Sequence, residues 1–356
     1  MIDFYTGYRC GVKRANRDAR AFQTQPQCAA GTLAFQKRYN MKLTKFFLTA
    51  GVVSLSIAAL AVSQAADKQR VFALVPKTIS VPFYNDVERG MTDEAKKLGV
   101  VGKFIGPTTA DAALQVQVLQ DLVSQGVDGI AVAPMDADSV IGVISQARKK
   151  GIPVITFDSD SPKADRIAFV GTNNLGGGQE GGKAFKGLLP KGKFAIITGG
   201  LAAANLNDRI KGFRESMNGT DYTEVPGSPF ACNDDASKAI QIIQDVLTRN
   251  PDLNGFFFSG GWPLFGAPEA YIKAIGKHAA DIKAKKFVVV SFDTLTEELK
   301  LLKGGYCNVL IGQRPYAMGV KSIDMLNELA DKKTIPPIVD TGVDVVDLSN
   351  VDQFLK

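Results

Sequence analysis

Two carboxylates and two hydroxyls follow one short apolar run in the segment GIPVITFDSDSP, residues 151–162. The run VITF is typical of a buried strand, and it gives way at Asp158 to Ser159 and Asp160. Such a cluster at a strand end has four chemical uses: it could bind a metal ion, act as an acid–base pair, bind ligand hydroxyls, or cap the next turn. The choice depends on which side chains the other strands bring beside it.

The elements that position this cluster alternate regularly along most of the chain. Apolar runs rich in Val, Ile and Phe predict strands buried on both faces of a parallel sheet, and amphipathic segments between them predict helices. The predicted strands are 71–75, 102–106, 129–133, 153–157, 167–171, 193–198, 255–259, 287–292 and 308–312. The repeated β-α-β order predicts an α/β protein with doubly wound parallel sheets, and this many strands favours two of them.

Ligands bind to doubly wound sheets at the carboxyl ends of the strands. The loops at these ends carry planar or charged hydrogen-bonding groups at Lys77, Asp158, Asn205, Asn207, Arg209, Asp293 and Gln313. Flat faces come from Phe83, Tyr84 and Trp262. Sugars need both kinds of group, because planar polar groups bind vicinal hydroxyls and aromatic faces cover the C–H side of the ring. We therefore predict a carbohydrate site, which also includes Ser159 and Asp160.

The residue inventory argues against several other chemistries. The chain has one histidine, His278, and four cysteines without a CxxC motif, so a Ser-His-Asp triad, a Cys-His pair and a histidine zinc site are not expected. The glycine-rich segment 171–182 matches no phosphate-binding motif. The remaining alternatives are Asp158 with Asp293 as the carboxylate pair of a glycoside hydrolase, and DSDSP as a calcium loop. We predict no catalytic residue, no metal and no cofactor.

The positive charge of the chain is confined to its N-terminal part. The formal net charge is +6, but residues 1–65 hold nine of the 42 basic side chains and only two of the 36 acidic ones. The rest of the chain is close to neutral, so its charge gives no argument for nucleic-acid binding.

The same N-terminal part has the layout of a signal peptide. A short basic stretch after Met41 precedes an uncharged apolar run over 46–62, and Ser63-Gln64-Ala65 presents small residues at the −3 and −1 positions of a cleavage site. We expect a signal peptide at 41–65, cleavage after Ala65 and a periplasmic protein, with 1–40 a disordered, over-extended start. A membrane anchor is the alternative, since the 17 residues of the apolar run could just span a bilayer.

Eight motifs, in this order and spacing, carry a family resemblance: ALVPKTISVPFYNDVERGMTDEAKKLG, DLVSQGVDGIAVAPMDADSV, GIPVITFDSD, FVGTNN, NDRIKGF, NPDLNGFFFSGGW, VVVSFDT and LIGQRPYAMG. With them, residues 66–356 resemble the periplasmic sugar-binding proteins of the ribose-binding type, the solute receptors of ABC importers. The resemblance implies two similar α/β domains joined by a three-crossover hinge, with the ligand cleft between them. The implied domains are 66–172 plus 314–336 and 173–313 plus 337–356, with crossovers near Thr172-Asn173, Gln313 and Pro336.

The resemblance also implies roles for particular residues. In the family an aromatic pair after the first strand stacks on the sugar, and Phe83 and Tyr84 match that pair. The Asp after the fourth strand binds hydroxyls and corresponds to Asp158. Asp293 and Gln313 match the acid and the amide that later strand ends contribute.

Several positions differ from the ribose receptors. Val81 and Trp262 stand where those receptors have Asn, and Ser159 and Asn207 stand where they have Arg, with Arg209 two residues further on. Lys77 is similar to the branch of rhamnose and furanosyl-autoinducer receptors, in which a Lys at this position contacts the ligand. The implied ligand is a monosaccharide, a deoxy-sugar or a polyol. The alternatives are a furanosyl signal or chemotaxis ligand and, from a different class, a secreted glycoside-processing enzyme.

The resemblance implies partners as well. They are the sugar or polyol, an ABC permease with its ATPase, and a chemoreceptor in the signalling alternative; the implied receptor is a monomer, not an enzyme, and binds no nucleic acid. The lac-repressor regulators share the fold but begin with a helix-turn-helix instead of a signal peptide. Cys232 and Cys307 would lie near opposite edges of one five-stranded sheet, too far apart for a disulfide, so two free thiols are expected.

The signal-peptide prediction has a direct test. Export should remove every residue before Ala66, so N-terminal sequencing of the protein recovered from the periplasm of a Gram-negative host is expected to begin at Ala66. Sequencing of the uncleaved precursor should begin at Met41. Any residue from 1–40 in either form would contradict the assigned start.

Overall fold

The computed structural model of the protein describes residues 69–355. The predicted leader 1–40 and signal peptide 41–65 therefore lie outside the described residues. The described residues belong to one compact unit. Within 69–355, no helix combines the length and the apolar character that crossing a membrane requires.

Thirteen strands are found among the described residues. They are β1 (Val71–Val75), β2 (Val101–Phe104), β3 (Gly129–Val132), β4 (Val154–Phe157), β5 (Phe169–Gly171), β6 (Gly192–Thr198), β7 (Tyr222–Glu224), β8 (Phe230–Ala231), β9 (Gly255–Phe258), β10 (Val288–Phe292), β11 (Val309–Gly312), β12 (Ile338–Asp340) and β13 (Asp344–Val346). Each of the nine predicted strands corresponds to one of these. The four that prediction missed are β7, β8, β12 and β13, which have two or three residues each and so lack a detectable apolar run.

The strands form two sheets, which confirms the predicted fold class. The first has the order β12-β5-β4-β3-β1-β2, with every pairing parallel. The second has the order β13-β11-β10-β9-β6-β7, with β8 also beside β6 and only β13 antiparallel. We call the parts built on these sheets the first lobe and the second lobe.

Eleven helices connect the strands of the described region. They are α1 (Phe83–Leu98), α2 (Ala112–Gln125), α3 (Ile141–Lys149), α4 (Asn174–Leu188), α5 (Ala204–Met217), α6 (Ala236–Arg249), α7 (Trp262–Phe265), α8 (Pro268–Ile275), α9 (His278–Lys283), α10 (Thr296–Lys303) and α11 (Pro315–Ala330). Both faces of each sheet are covered: in β1, Phe72 and Leu74 pack into one apolar cluster while Ala73 and Val75 pack into another. This explains why the strands are continuously apolar.

The chain passes between the lobes three times. It crosses after β5, where Asn173 caps α4 by accepting a hydrogen bond from the Gly176 N–H, and again between β11 and α11. The third crossover lies between β12 and β13. The prediction of this crossover near Pro336 was wrong, because β12 pairs with β5 and so adds residues 338–340 to the first sheet. The carbonyl of Pro337 accepts a hydrogen bond from the Phe169 N–H and starts this pairing.

The two predicted free thiols are confirmed, although the sheet that carries them is larger than expected. Cys232 follows β8 at one end of the second sheet, and Cys307 precedes β11 towards the other. Both side chains are free and buried. Burial raises the pKa of each thiol to about 12, so neither is a reactive thiolate at neutral pH.

Each lobe contains one pair of helices in close contact through glycines. In the second lobe α4 packs on α5, and a Cβ at Gly178 would lie 2.1 Å from the backbone oxygen of Arg209. In the first lobe a Cβ at Gly90 would lie 2.2 Å from the backbone oxygen of Tyr316 on α11. The glycine-rich segment that matched no phosphate motif therefore brings two helix backbones together.

Helix α4 offers a matched test of this packing. Gly178→Ala should lower the free energy of unfolding by about 1–3 kcal/mol, because the added methyl group overlaps backbone atoms that cannot move independently. The control is Gly187→Ala on the same helix, where nothing lies within 4 Å and the better helix former should raise stability by roughly 0.5–1 kcal/mol. Urea unfolding measures both. Equal effects of the two substitutions would refute the packing argument.

Candidate functional site

A cleft lies between the lobes at the carboxyl ends of the strands. It encloses about 410 Å³ of space including its open mouth. The first lobe contributes Lys77, Thr78, Val81, Phe83, Tyr84 and Asp158. The second lobe contributes Asn205, Leu206, Arg209, Asp234, Gly260, Trp262, Phe265 and Asp293, and Gln313 stands at the second crossover.

Asp158 is the central polar group on the first-lobe side. It ends β4 with a left-handed backbone (φ 56°), which turns its carboxylate out of the strand direction into the cleft. The Tyr84 hydroxyl donates to Oδ2 over 2.8 Å, and the Asn205 amide donates to Oδ1 over 3.2 Å. Because Asn205 belongs to the second lobe, this carboxylate is held from both sides.

Asp293 occupies the equivalent position in the second lobe. It ends β10, again with a left-handed backbone (φ 78°). The Gln313 amide donates to Oδ1 over 2.7 Å and the Gly261 N–H to Oδ2 over 3.2 Å. Burial raises the pKa of this carboxyl, and the charge of Arg209 partly opposes the rise. The two lobes thus present matching carboxylates to one cleft.

Arg209 ties these groups together. From α5, its Nε donates to the Asn174 side chain over 2.8 Å, and its two terminal nitrogens donate to the Ser259 carbonyl over 2.9 Å and to the Gln313 oxygen over 2.6 Å. The guanidinium lies 4.2 Å from the centre of the Phe292 ring and 4.0 Å from the Asp158 carboxylate. Burial lowers its pKa. With 2% of its surface exposed, it is a fixed positive centre in the wall of the cleft.

Lys77 links the lobes directly. Its Nζ, from the loop after β1, donates to the Asn205 oxygen over 2.8 Å and lies 3.9 Å from the Asp158 carboxylate. Burial lowers the pKa of Lys77, and Asp158 is the largest influence in the opposite direction. One amide, that of Asn205, therefore connects a cation and an anion of the first lobe to the second lobe.

Aromatic rings form opposite walls of the cleft. Phe83 and Tyr84 meet edge to face, with ring centres 5.2 Å apart at 83°. Trp262 begins α7 and lies against two glycines: a Cβ at Gly199 or Gly260 would be 2.8 or 2.4 Å from the indole ring. Flat faces therefore approach the cleft from both lobes.

The structure brings nine of the twelve predicted site residues into the cleft. They are Lys77, Phe83, Tyr84, Asp158, Asn205, Arg209, Trp262, Asp293 and Gln313. The other three lie elsewhere. Ser159 is fully buried and its hydroxyl has no partner among the described residues, while Asp160 forms an ion pair with Arg166 over 2.7 Å.

The prediction of Asn207 as a cleft residue is corrected by helix geometry. Residues two apart on an α-helix lie about 200° apart around its axis, and residues four apart share a face. Asn205 and Arg209 therefore face the cleft together, whereas Asn207 is exposed and donates to the Leu201 carbonyl over 2.9 Å.

Sequence reasoning missed several residues of the cleft wall. Thr78 and Leu206 neighbour predicted residues, and Phe265 follows Trp262 by one helical turn. Asp234 was also missed. It follows β8, a strand of two residues that is too short to be predicted from an apolar run. Among the residues that the structure describes, no group of three or more His, Cys, Asp or Glu is placed to hold a metal ion.

A second layer behind Asp293 contains a buried acid, Glu298. Its Oε2 accepts a hydrogen bond from the Leu295 N–H over 2.6 Å, while Oε1 has no partner among the described residues. Oε1 packs against Gly261, where a Cβ would lie only 1.7 Å away. Burial, and then the charge of Asp293, raises the pKa of Glu298 well above its usual value. Glu298 therefore packs behind the turn whose Gly261 N–H donates to Asp293.

Comparison with known proteins identifies the class that this fold and cleft define. The family model described as a periplasmic binding protein domain matches residues 72–334, so the chain belongs to that family. The D-allose-binding periplasmic protein of Escherichia coli is 28% identical over 293 residues, which cover 80% of this chain and 92% of that protein. The ribose import binding protein of Salmonella typhimurium is also 28% identical, over 82% of this chain and 93% of its own.

A solved structure extends the comparison. A solute-binding protein of an ABC transporter from Burkholderia graminis, in complex with D-arabinose, superposes with a TM-score of 0.73. It is 34% identical, and the match covers 81% of this chain and 98% of that one. The predicted family resemblance is thereby confirmed, and the named relatives are binding proteins.

The raised pKa of Glu298 predicts a pH effect on stability. A carboxyl whose pKa is raised by folding stabilises the protein below its unfolded pKa of about 4.3, and this contribution is lost as pH rises through the folded pKa. Glu298→Gln should therefore flatten the fall in unfolding free energy as the pH rises above about 4.3, measured by urea unfolding. Glu297→Gln, a partly exposed neighbour on α10, is the control. An unchanged slope in the Glu298 variant would show that Glu298 is ionised in the folded protein.

Proposed function

We propose that the protein is an exported solute receptor, which binds one small carbohydrate in the cleft and delivers it to an ABC permease. The observation that carries this proposal is the composition of the cleft. Two hydrogen-bonded carboxylates and an amide converge on a space with aromatic faces from both lobes. Sugars match such a site because each ring offers hydroxyls at its edge and C–H groups on its faces. The names of the relatives support the same ligand class.

The residues divide the work of binding between the lobes. Phe83 and Tyr84 contact a ring face while Asp158 accepts from hydroxyls on the first-lobe side. Trp262 and Asp293 do the same from the second lobe, and Gln313 orients Asp293 at the hinge. A ligand that contacts both lobes favours the closed arrangement, since only that arrangement satisfies both sets of groups.

The size of the cleft supports a single ring or a short polyol. The cleft encloses about 410 Å³ including its open mouth, and side chains from both lobes line it closely. A monosaccharide, a deoxy-sugar or a polyol suits this space better than an oligosaccharide. Lys77 keeps the rhamnose-like and furanosyl ligands among the candidates.

The partners and location follow from the same proposal. The closed form docks on a permease that works with an ATPase, in the periplasm, and the receptor acts as a monomer. No chemical step is assigned to the cleft, because the named relatives are binding proteins. Presentation of the closed form to a chemoreceptor is the second role for the same cleft.

A thermal-shift screen of residues 66–356 tests the proposal. The panel holds D-ribose, D-allose, D-arabinose, L-rhamnose, polyols and furanosyl signals; a micromolar ligand at millimolar concentration adds about 4 kcal/mol of stability. Asp293→Ala should weaken the binding free energy of the best ligand by about 2–4 kcal/mol in calorimetry, because the ligand hydroxyls lose a buried charged acceptor. Asp245→Ala, exposed on α6, is the control. Absence of any shift would refute the carbohydrate assignment, and conversion of a ligand to product would indicate an enzyme.

A further inference from the structure

Asp234 differs from the other two carboxylates of the cleft. Asp158 and Asp293 each accept two hydrogen bonds from protein groups. None of the hydrogen bonds between described residues ends on the Asp234 side chain, although Asp234 lines the same cleft. Burial raises its pKa, and the charge of Lys77 opposes that rise. A partly buried carboxylate without donors is unfavourable unless something else supplies them.

The backbone around Asp234 is shaped to present this carboxylate. Asn233 and Asp234 both have left-handed backbones, with φ of 55° and 58°. Two consecutive non-glycine residues in this region are uncommon, and such strain is typical of ligand-binding segments. The next residue, Asp235, caps α6 through the Lys238 N–H and is exposed. The strained turn therefore separates a capping carboxylate from one that faces the cleft.

Glycine at position 199 makes room for the arrangement. A Cβ there would lie 2.5 Å from Oδ1 of Asp234 and 2.8 Å from the indole ring of Trp262. The carboxylate and the ring edge thus share one small region of the second-lobe wall, over the end of β6. A sugar ring against Trp262 places its substituents within reach of Asp234.

We infer that Asp234 is a specificity-determining residue, which accepts a hydrogen bond from one particular hydroxyl of the ligand. This inference rests on the proposed carbohydrate function. It goes beyond that function because it assigns to Asp234 the discrimination between a sugar and the deoxy form that lacks one particular hydroxyl. An anionic substituent at that carbon would be repelled by the carboxylate. An ammonium would meet the charge of Lys77, so a neutral hydroxyl is the favoured donor.

The test combines one substitution with a set of deoxy-sugars. Titration calorimetry uses D-allose with its 2-, 3-, 4- and 6-deoxy forms and D-arabinose with its 2-, 3- and 4-deoxy forms. Each is titrated into wild type, Asp234→Asn and the control Asp235→Asn. Asparagine keeps the size of the side chain and can cap a helix, so both variants should fold. In wild type, one deoxy form should bind roughly 10- to 100-fold more weakly than its parent, the effect of losing a hydrogen bond to a charged group.

The decisive comparison is between the effect of removing a ligand hydroxyl in wild type and its effect in Asp234→Asn. If Asp234 accepts from that hydroxyl, Asp234→Asn weakens the parent sugar but leaves the same deoxy form nearly unaffected, so the discrimination falls at that carbon alone. Asp235→Asn keeps the wild-type pattern. Equal discrimination in wild type and Asp234→Asn overturns the role of Asp234 while the carbohydrate function stands. Failure of every parent sugar to bind the wild type overturns both.

Discussion

One buried cation holds the centre of this protein together. Arg209 donates to groups from three elements and stands 4.0 Å from Asp158, while its charge also acts on Asp293. Two carboxylates that face one cleft repel each other and lose solvation. A fixed positive charge near both offsets these two costs. Because its three donor nitrogens are all engaged by protein acceptors, Arg209 cannot turn away. The polarity of the whole cleft depends on that fixed position.

The same backbone arrangement presents one carboxylate to the cleft in each lobe. β4 and β10 occupy equivalent third positions in their sheets, and each ends at an aspartate with a left-handed backbone. The segments that follow β1 and β6 supply Lys77, from a loop, and Asn205, from the first turn of α5, and these two side chains meet across the cleft. Equivalent strand ends therefore face each other across the cleft, and each lobe presents the same kind of group to it. Asp234 breaks this pattern, since none of the described residues donates a hydrogen bond to its side chain.

The fold could be predicted almost completely because its signal is local. Most of the nine predicted strands are buried apolar runs, and the helices between them carry an apolar face. The missed strands are edge strands of two or three residues, whose existence depends on pairing with a distant neighbour. β12 shows the consequence: because it pairs with β5, the third crossover lies beyond the position near Pro336 that the family resemblance implied.

The sequence by itself determined the class of protein and the chemical types of the cleft, since strand ends, aromatic pairs and acidic turns are short segments. Tertiary structure decided which of these groups meet. Asn207 and Arg209 are two residues apart, yet helix rotation sends one to solvent and the other into the core. Asp160 follows Asp158 by two residues but pairs with Arg166 instead of facing the cleft. Asp234 reaches the cleft because a short strand places it beside β6, a juxtaposition of residues distant in the chain that no local pattern records.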